Sequence, residues 1–274
     1  MEEPEIPPTL QRLWARGAPP RRGPKPTLSA DRIVRSAVEI ADAEGLAAVS
    51  MARVAEALGC TSMALYRHVA NKDELLALMA DAVAGEFALP PTVPGDWRAG
   101  LDAWTRAQVE AVMDRPWFLD LPLPTMRLGP NRLRWIDAAF EVLAGVPLDV
   151  GEKLQVIGLL AQYLLGEGRV QVETRRAAIQ LVRREQGLAD EVLDAEIDER
   201  AIAAANTFHD FETVLVRLAD PQGYPHLFEA LGSGLLDAAE DAAAADDQGF
   251  EVSLQIVLDG VATFIEARGK PAAG

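Results

Sequence analysis

An all-α protein of two helical domains is what this 274-residue sequence predicts, and three observations carry the expectation. Apolar residues recur at three- and four-residue spacings along most of the chain, as on one face of a helix. The alternation of β-branched and polar residues that marks strands is scarce. A dense break, Pro90-Pro91-Thr92-Val93-Pro94-Gly95, divides the pattern in two. With 49% hydrophobic residues, the chain can bury a sizeable core.

Residues 1–28 are proline-rich, and RRGPKPT within them cannot form an uninterrupted helix, so a flexible N-terminal arm is expected. Its basic half, Arg21, Arg22 and Lys25, is a candidate for a nucleic-acid groove, although a short basic run before a domain also serves as solvated linker. The acidic start lacks the basic and apolar segments of a secretory signal. No apolar run reaches the roughly 18 residues that a membrane span requires. A single cysteine, Cys60, allows no intramolecular disulfide and no CxxC site. Together these set the expected location in the cytoplasm.

Residues 29–89 read as the first domain. Ser29 caps a helix whose Ile33, Val34, Ala37, Ile40 and Ala41 lie inward and which ends at Glu44-Gly45. Ser50 caps a short second helix with Val54, Ala55 and Leu58 inward. A third begins near Thr61, with Leu65 and Val69 four residues apart. Asn71 caps a fourth that carries Leu75, Leu76, Met79 and Val83.

Beyond the break, residues 96–268 form the larger domain, with helices expected near 97–113, 130–144, 151–171, 189–204, 207–219, 225–240 and 250–267. Loops are expected at 119–129 and about 182–190, and the acidic stretch EDAAAADDQG at 240–249 reads as an exposed loop.

Charge is uneven along the chain. The formal total is -16, yet residues 21–72 sum to +3 while residues 73–274 carry -18. An acidic total argues against a nonspecific polycation and leaves a local nucleic-acid surface near the N-terminus.

The stretch VAEALGCTSMALYRHVANKDELL, residues 54–76, raises a pointed question about its middle, where an apolar helical pattern stops at Gly-Cys-Thr and resumes. Gly59 makes a tight change of direction inexpensive, and Thr61 can accept a hydrogen bond from a free N–H of the next first turn. Two short helices so joined are a helix-turn-helix, in which the second enters a major groove while the first braces it. Leu65 and Val69 would hold that helix to the domain. Thr61, Ser62, Met63 and Ala64 would approach base edges, Met63 and Ala64 through apolar contact with thymine methyls. Tyr66, Arg67, His68 and Lys72 supply donors at phosphate-contact positions. A helix, a glycine turn and a helix also occur in many proteins without DNA, where Tyr66 and His68 would only pack or cap.

Residues 37–83, AVEIADAEGLAAVSMARVAEALGCTSMALYRHVANKDELLALMADAV, resemble the DNA-binding domain of the TetR family of transcriptional regulators. The resemblance rests on the order Glu44-Gly45, Ser50, Val54-Ala55, Gly59, Leu65-Tyr66, His68, Asn71-Lys72 and Leu75-Leu76. It implies a homodimer, most often a repressor, whose C-terminal helical domain binds a small effector and releases a palindromic operator. It places Tyr66, His68 and Lys72 at DNA-backbone contacts, and Ser62, Met63 and Ala64 among base-proximal positions. RPWFLDLP (115–122), GPNRLRWIDAAFEVLAGVPL (130–148) and FEVSLQIVLDGVATFI (250–265) are similar to the C-terminal domain of the tetracycline repressor branch. Two departures matter. Ala52 stands where that repressor has a base-reading arginine, so its operator does not carry over. The histidine and carboxylate of its magnesium-tetracycline constellation are not located in this sequence, so tetracycline stays one open effector among others, and no cofactor and no metal site are assigned.

A twofold dimer would engage half-sites roughly 34–36 Å apart. Leu154, Ile157, Leu160, Ala161 and Leu164 form one apolar helix face, and Leu254, Val257, Leu258, Val261 and Ile265 another. Such faces serve either a subunit's own core or a partner's, and the resemblance implies pairing between subunits. Trp97, Trp104, Met113, Trp117, Phe118, Trp135 and Phe140 are candidate walls of an effector pocket, with Asn131, Gln162, His209 and Asp210 as polar contributors. Aromatic residues at helical spacing equally close a core.

An enzyme is disfavoured, because no phosphate-cradling glycine loop, nucleophile elbow or histidine ligand array is present. A helical protein-interaction adaptor without sequence-specific DNA binding is the competing class. An effector-dependent activator or corepressor stays close to the main reading. The expected partners are double-stranded operator DNA, a second copy and a small organic effector, with no membrane.

Overall fold

Helices joined by short turns make up the protein in a computed structural model, which describes residues 6–15, 28–92, 95–189, 192, 194–205, 218–231 and 242–269. In chain order its helices are α1 (Pro8–Ala15), α2 (Ala30–Glu44), α3 (Met51–Ala57), α4 (Ser62–Leu65), α5 (Lys72–Ala84), α6 (Trp97–Asp114), α7 (Pro130–Val142), α8 (Val150–Gln186), α9 (Glu199–Ala204), α10 (Pro225–Leu231) and α11 (Ala242–Gly269). Short 3₁₀ turns occupy Leu46–Ala48, Pro116–Asp120, Leu123–Thr125 and Asp194–Glu196. The described residues contain no strand.

The caps account for the helix starts. Ser29 Oγ accepts the Arg32 N–H at 3.3 Å, Ser50 Oγ that of Arg53 at 3.1 Å, and Asn71 Oδ1 that of Glu74 at 2.8 Å. Asp96 Oδ1 does the same for Ala99 at 3.0 Å. Each such cap stabilises its helix by about 1 kcal/mol. Asp149 and Glu152 form a reciprocal capping box at the start of α8, with bonds of 2.8 and 3.0 Å.

The first compact unit takes in residues 1–164 with 264–274. Its core at the head holds Ile33, Val34, Ala37, Ile40, Val54, Leu65, Val69, Leu75, Met79 and Val83, all buried. That core also includes Leu13 from α1, and Trp117 and Leu121 from beyond the proline break. The break at residues 90–95 is therefore not where the compact units divide. α7 packs on both α5 and α6, and indole N–H groups tie these helices together. Trp135 Nε1 donates to the Ala84 carbonyl at 3.0 Å, and Trp104 Nε1 to the Trp135 carbonyl at 2.8 Å. At the chain's end, Arg268 reaches Glu152 at 2.5 Å and lies over the Phe264 ring.

The second compact unit is residues 165–263. Within it Ala178, Ile179 and Val182 of α8 bury against Ile197 and Ile202. Arg175 pairs with Glu199 at 2.6 Å, and Arg183 with Asp194 at 2.6 Å.

Four expectations need correction. Residues 8–15 within the expected flexible arm are a helix, because Pro8 takes the first helical position, where its missing N–H costs nothing. α8 continues to Gln186, past its expected end at 171, and stops at Gly187 with φ of 61°. The expected acidic loop at 240–249 is helical from Ala242, in keeping with its alanines. Among the described residues of the helix expected at 189–204, the helical ones are Glu199–Ala204, after a 3₁₀ turn. The helix expected at 207–219 falls almost wholly outside the described residues, as does the second half of that at 225–240.

Candidate nucleic-acid interface

The turn between α3 and α4 is built from backbone bonds that only its glycine allows so cheaply. Cys60 N–H donates to the Ala55 carbonyl at 2.9 Å and Gly59 N–H to that of Glu56 at 3.0 Å, a Schellman ending, with Gly59 at φ of 64°. Thr61 stands at the N-cap of α4, but its side chain makes no capping bond, contrary to expectation. Its carbonyl instead accepts the Ala64 N–H at 2.9 Å, and the residue is exposed.

α4 ends at Leu65, short of Val69, expected on the same helix, and the side chains of α4 and of the turn after it divide sharply. Leu65 and Val69 are fully buried, whereas Met63 is 73% exposed. Thr61, Tyr66, Arg67 and Lys72 are exposed, and Ser62, Ala64 and His68 are half-buried. Burying a leucine and a valine stabilises their placement by about 1.5–3 kcal/mol each, which anchors the exposed row from behind. A solvent-facing methionine has no such reason to be there. α3 is held behind it by Arg53, whose guanidinium reaches Glu44 at 2.7 Å and Glu56 at 3.5 Å. The bond that Arg53 donates to Glu44 raises the Arg53 pKa further above its ordinary value. Ala52, on the same helix, is exposed. Arg21, Arg22 and Lys25 lie outside the described residues.

The candidate effector-pocket residues are placed less favourably. Trp117 is buried in the head's core, and its indole N–H donates to Asp42 Oδ1 at 2.6 Å. Phe118 is half-buried and packs on the same core. Asn131 is bound through its side-chain amide to Asp81 at 3.1 and 3.2 Å. Trp104 and Trp135 are buried and spend their N–H groups on the carbonyls already named. Their burial is that of a helix junction. Trp97, Met113 and Phe140 are half-buried, and Gln162 is exposed on α8. His209 and Asp210 lie outside the described residues.

The candidate dimer faces are likewise redistributed. Ile157, Leu160, Leu164, Leu254, Leu258, Val261 and Ile265 are buried within the chain itself. Of the two rows Leu154 is exposed, and Ala161 and Val257 are half-buried. The exposed large apolar residues of α8 are Val150, Leu154, Leu159 and Val170, and those of α11 are Val252 and Ile256.

Sequence reasoning missed the residues that fix the head to α7. Asp81 is the chief of these; its Oδ1 accepts the backbone N–H groups of Asn131 and Arg132, both at 3.1 Å. Arg132 in turn donates to the carbonyls of Met126 and Arg127. Burial lowers the Arg132 pKa, against the opposing pull of Asp81. Among the described residues no group of His, Cys, Asp and Glu could hold a metal ion. No helix among them is long and apolar enough to cross a membrane.

Comparison with known proteins agrees with the head's geometry. Residues 33–79 match the bacterial regulatory proteins of the tetR family, and residues 89–265 match the tetracyclin repressor-like C-terminal domain. The HTH-type transcriptional repressor DrrR1 of Streptomyces coeruleorubidus is 33% identical over 265 residues, covering 95% of this chain and 87% of that protein. The TetR family protein ActR of Streptomyces coelicolor, in complex with actinorhodin, is similar with a TM-score of 0.66 and 25% identity, over 90% of this chain and 99% of that one. A possible TetR family transcriptional regulator from Streptomyces coelicolor A3(2) is similar with a TM-score of 0.57 and 25% identity, over 86% and 100% of the two chains. An all-helical chain with a glycine-turned, side-divided α3–α4 head, matched over both parts of its length, belongs to the TetR family of regulators and is not an enzyme.

Proposed function

We propose that this regulator is a repressor that binds a palindromic operator as a homodimer and is released by a small organic effector. The observation that carries the reading is the division of α4 and the turn that follows it, with Leu65 and Val69 buried and Met63, Tyr66 and Arg67 exposed beside Lys72. Met63 and Ala64 read base edges, chiefly thymine methyls, while Tyr66, Arg67, His68 and Lys72 hold phosphates. Repression is supported by likeness to DrrR1, which is named a repressor. An organic effector is supported by likeness to ActR, whose complex holds actinorhodin. Dimerisation is assigned to the exposed apolar side chains, Leu154 and Leu159 on α8 and Val252 and Ile256 on α11, which a second copy would cover.

Release occurs if the effector binds better to a dimer whose two α4 helices no longer match successive grooves. Linkage then requires operator to weaken effector affinity by the same factor. The test is binding of the purified protein to duplexes from upstream of its own coding region and its neighbours, against an unrelated duplex. Saturable binding to one upstream duplex, reversed by a small organic molecule, is expected. Equal effector affinity with and without that duplex contradicts the release step.

A further inference from the structure

We propose that α1 is a brace for DNA binding and that Arg12 is its positioning residue, acting through Glu74 on the turn between α4 and α5. The inference rests on the operator-binding reading above. α1 lies upstream of residue 33, where the match to the family's head begins, so the brace is an addition to that head.

The geometry centres on one carboxylate. Glu74 is the third residue of α5 and its side chain is only 1% exposed. It accepts the Ala70 N–H at 2.6 Å, closing the turn that leads from α4 into α5. Arg12 grips the same carboxylate with both arms of its guanidinium, Nε on Oε1 and Nη2 on Oε2 at 3.0 Å. Arg12 is thereby joined to a residue 62 positions away. α1 is anchored beside this pair by Leu13, which is 1% exposed in the head's core. At the end of the same helix, Trp14 Nε1 donates to the Leu128 carbonyl at 3.2 Å, in the segment that leads into α7.

A buried carboxylate without its cation is costly, and it relieves that cost by opening to water. Opening breaks the Ala70 bond and loosens the turn that holds Lys72 two residues before Glu74. It also places an uncompensated negative charge behind a surface that must accept phosphates. Both effects of opening weaken operator binding without Arg12 touching DNA.

The variants Arg12→Gln, Glu74→Gln, their combination and Arg12→Lys separate this from direct contact. Arg12→Gln is expected to weaken operator binding about tenfold at fixed salt, the scale of coupling within one buried pair. The slope of log affinity against log salt stays that of the wild type, because no phosphate contact is lost. Adding Glu74→Gln restores most of the affinity, since the amide is uncharged and its oxygen still accepts the Ala70 N–H. Arg12→Lys keeps the charge but not the fork and falls between. Wild-type affinity in Arg12→Gln, a salt slope lowered by about one, or no rescue by Glu74→Gln overturns the brace.

A second readout needs no DNA. Hydrogen exchange at the Ala70 amide should quicken in Arg12→Gln and slow again in the double variant. Unchanged protection there overturns the brace whatever the operator does. Failure of the wild type to bind any operator would count against the proposed function instead. If Arg12→Gln does not fold, Arg12→Lys and the double variant carry the same comparison.

Discussion

Asp81 on α5 caps the first turn of α7 by accepting the backbone N–H of Asn131 at 3.1 Å. The same oxygen accepts the Arg132 N–H, and the Asn131 amide returns a bond to the Asp81 carbonyl. A carboxylate on the head's last helix is thus the N-terminal cap of a helix beyond the proline break, a place where negative charge is favoured.

Asp81→Ala should therefore destabilise the protein by about 1–3 kcal/mol, since two part-buried N–H groups lose their acceptor. Asp81→Asn keeps an acceptor oxygen and should cost less. Gly129→Ala should also be damaging, because a β carbon there would meet Asp81 Oδ1 at 2.2 Å. Urea unfolding midpoints rank the three.

Gly45→Ala and Gly59→Ala should both be destabilising although each added methyl meets open space. The cost is backbone strain of about 1–3 kcal/mol, not collision. Gly45, at φ 81° and ψ 165°, occupies a region nearly closed to other residues, whereas Gly59 has the φ of the left-handed helical region at 64°. Asparagine should consequently rescue position 59 better than position 45. Thermal midpoints of the four variants decide it.

On DNA, Lys72→Gln and Met63→Ala should fail in different ways. Losing a phosphate contact lowers the salt slope by about one and weakens all sequences alike. Losing an apolar base contact leaves the slope intact and relaxes preference at one or two base pairs by about 1–3 kcal/mol each. Titration of each variant against single-base operator changes tells them apart.

In the second compact unit the Arg175–Glu199 pair predicts a pH effect of fixed sign. The Arg175 bond holds Glu199 below its ordinary carboxylate value. Its folded pKa is thus depressed, so the pair's contribution is present above the ordinary value and fades as pH falls through the folded one. Amide protection in α9 should weaken on acidification, and Glu199→Gln should remove that dependence. High salt should blunt the effect, since Glu199 is exposed.

The head is legible in the sequence because its signals are local. Ser29, Ser50, Asn71 and Gly59 each act within a few residues, and the inward rows of α2 and α5 keep the helical period. Even the grip on Ala70 is half visible, as Asn71-x-x-Glu74 is a capping pattern. The apolar rows on α8 and α11 are legible as apolar faces but not as core or interface, since a period shows which side is buried and not by whom. The bonds that Trp117, Trp135 and Asn131 make are illegible in the sequence for a related reason. Their partners Asp42, Ala84 and Asp81 lie between 50 and 75 positions away, and no local pattern announces such bonds. α1 is obscured by its flanking prolines, though Pro8 itself favours a helix start.

The most direct test is a salt-varied anisotropy titration of one palindromic upstream duplex against the same duplex with one half-site scrambled. Operator recognition by paired α4 helices predicts saturable binding to the intact palindrome, with a loss of at least about tenfold on scrambling that persists as salt rises. Equal, weak binding to both duplexes that vanishes together with added salt would contradict it.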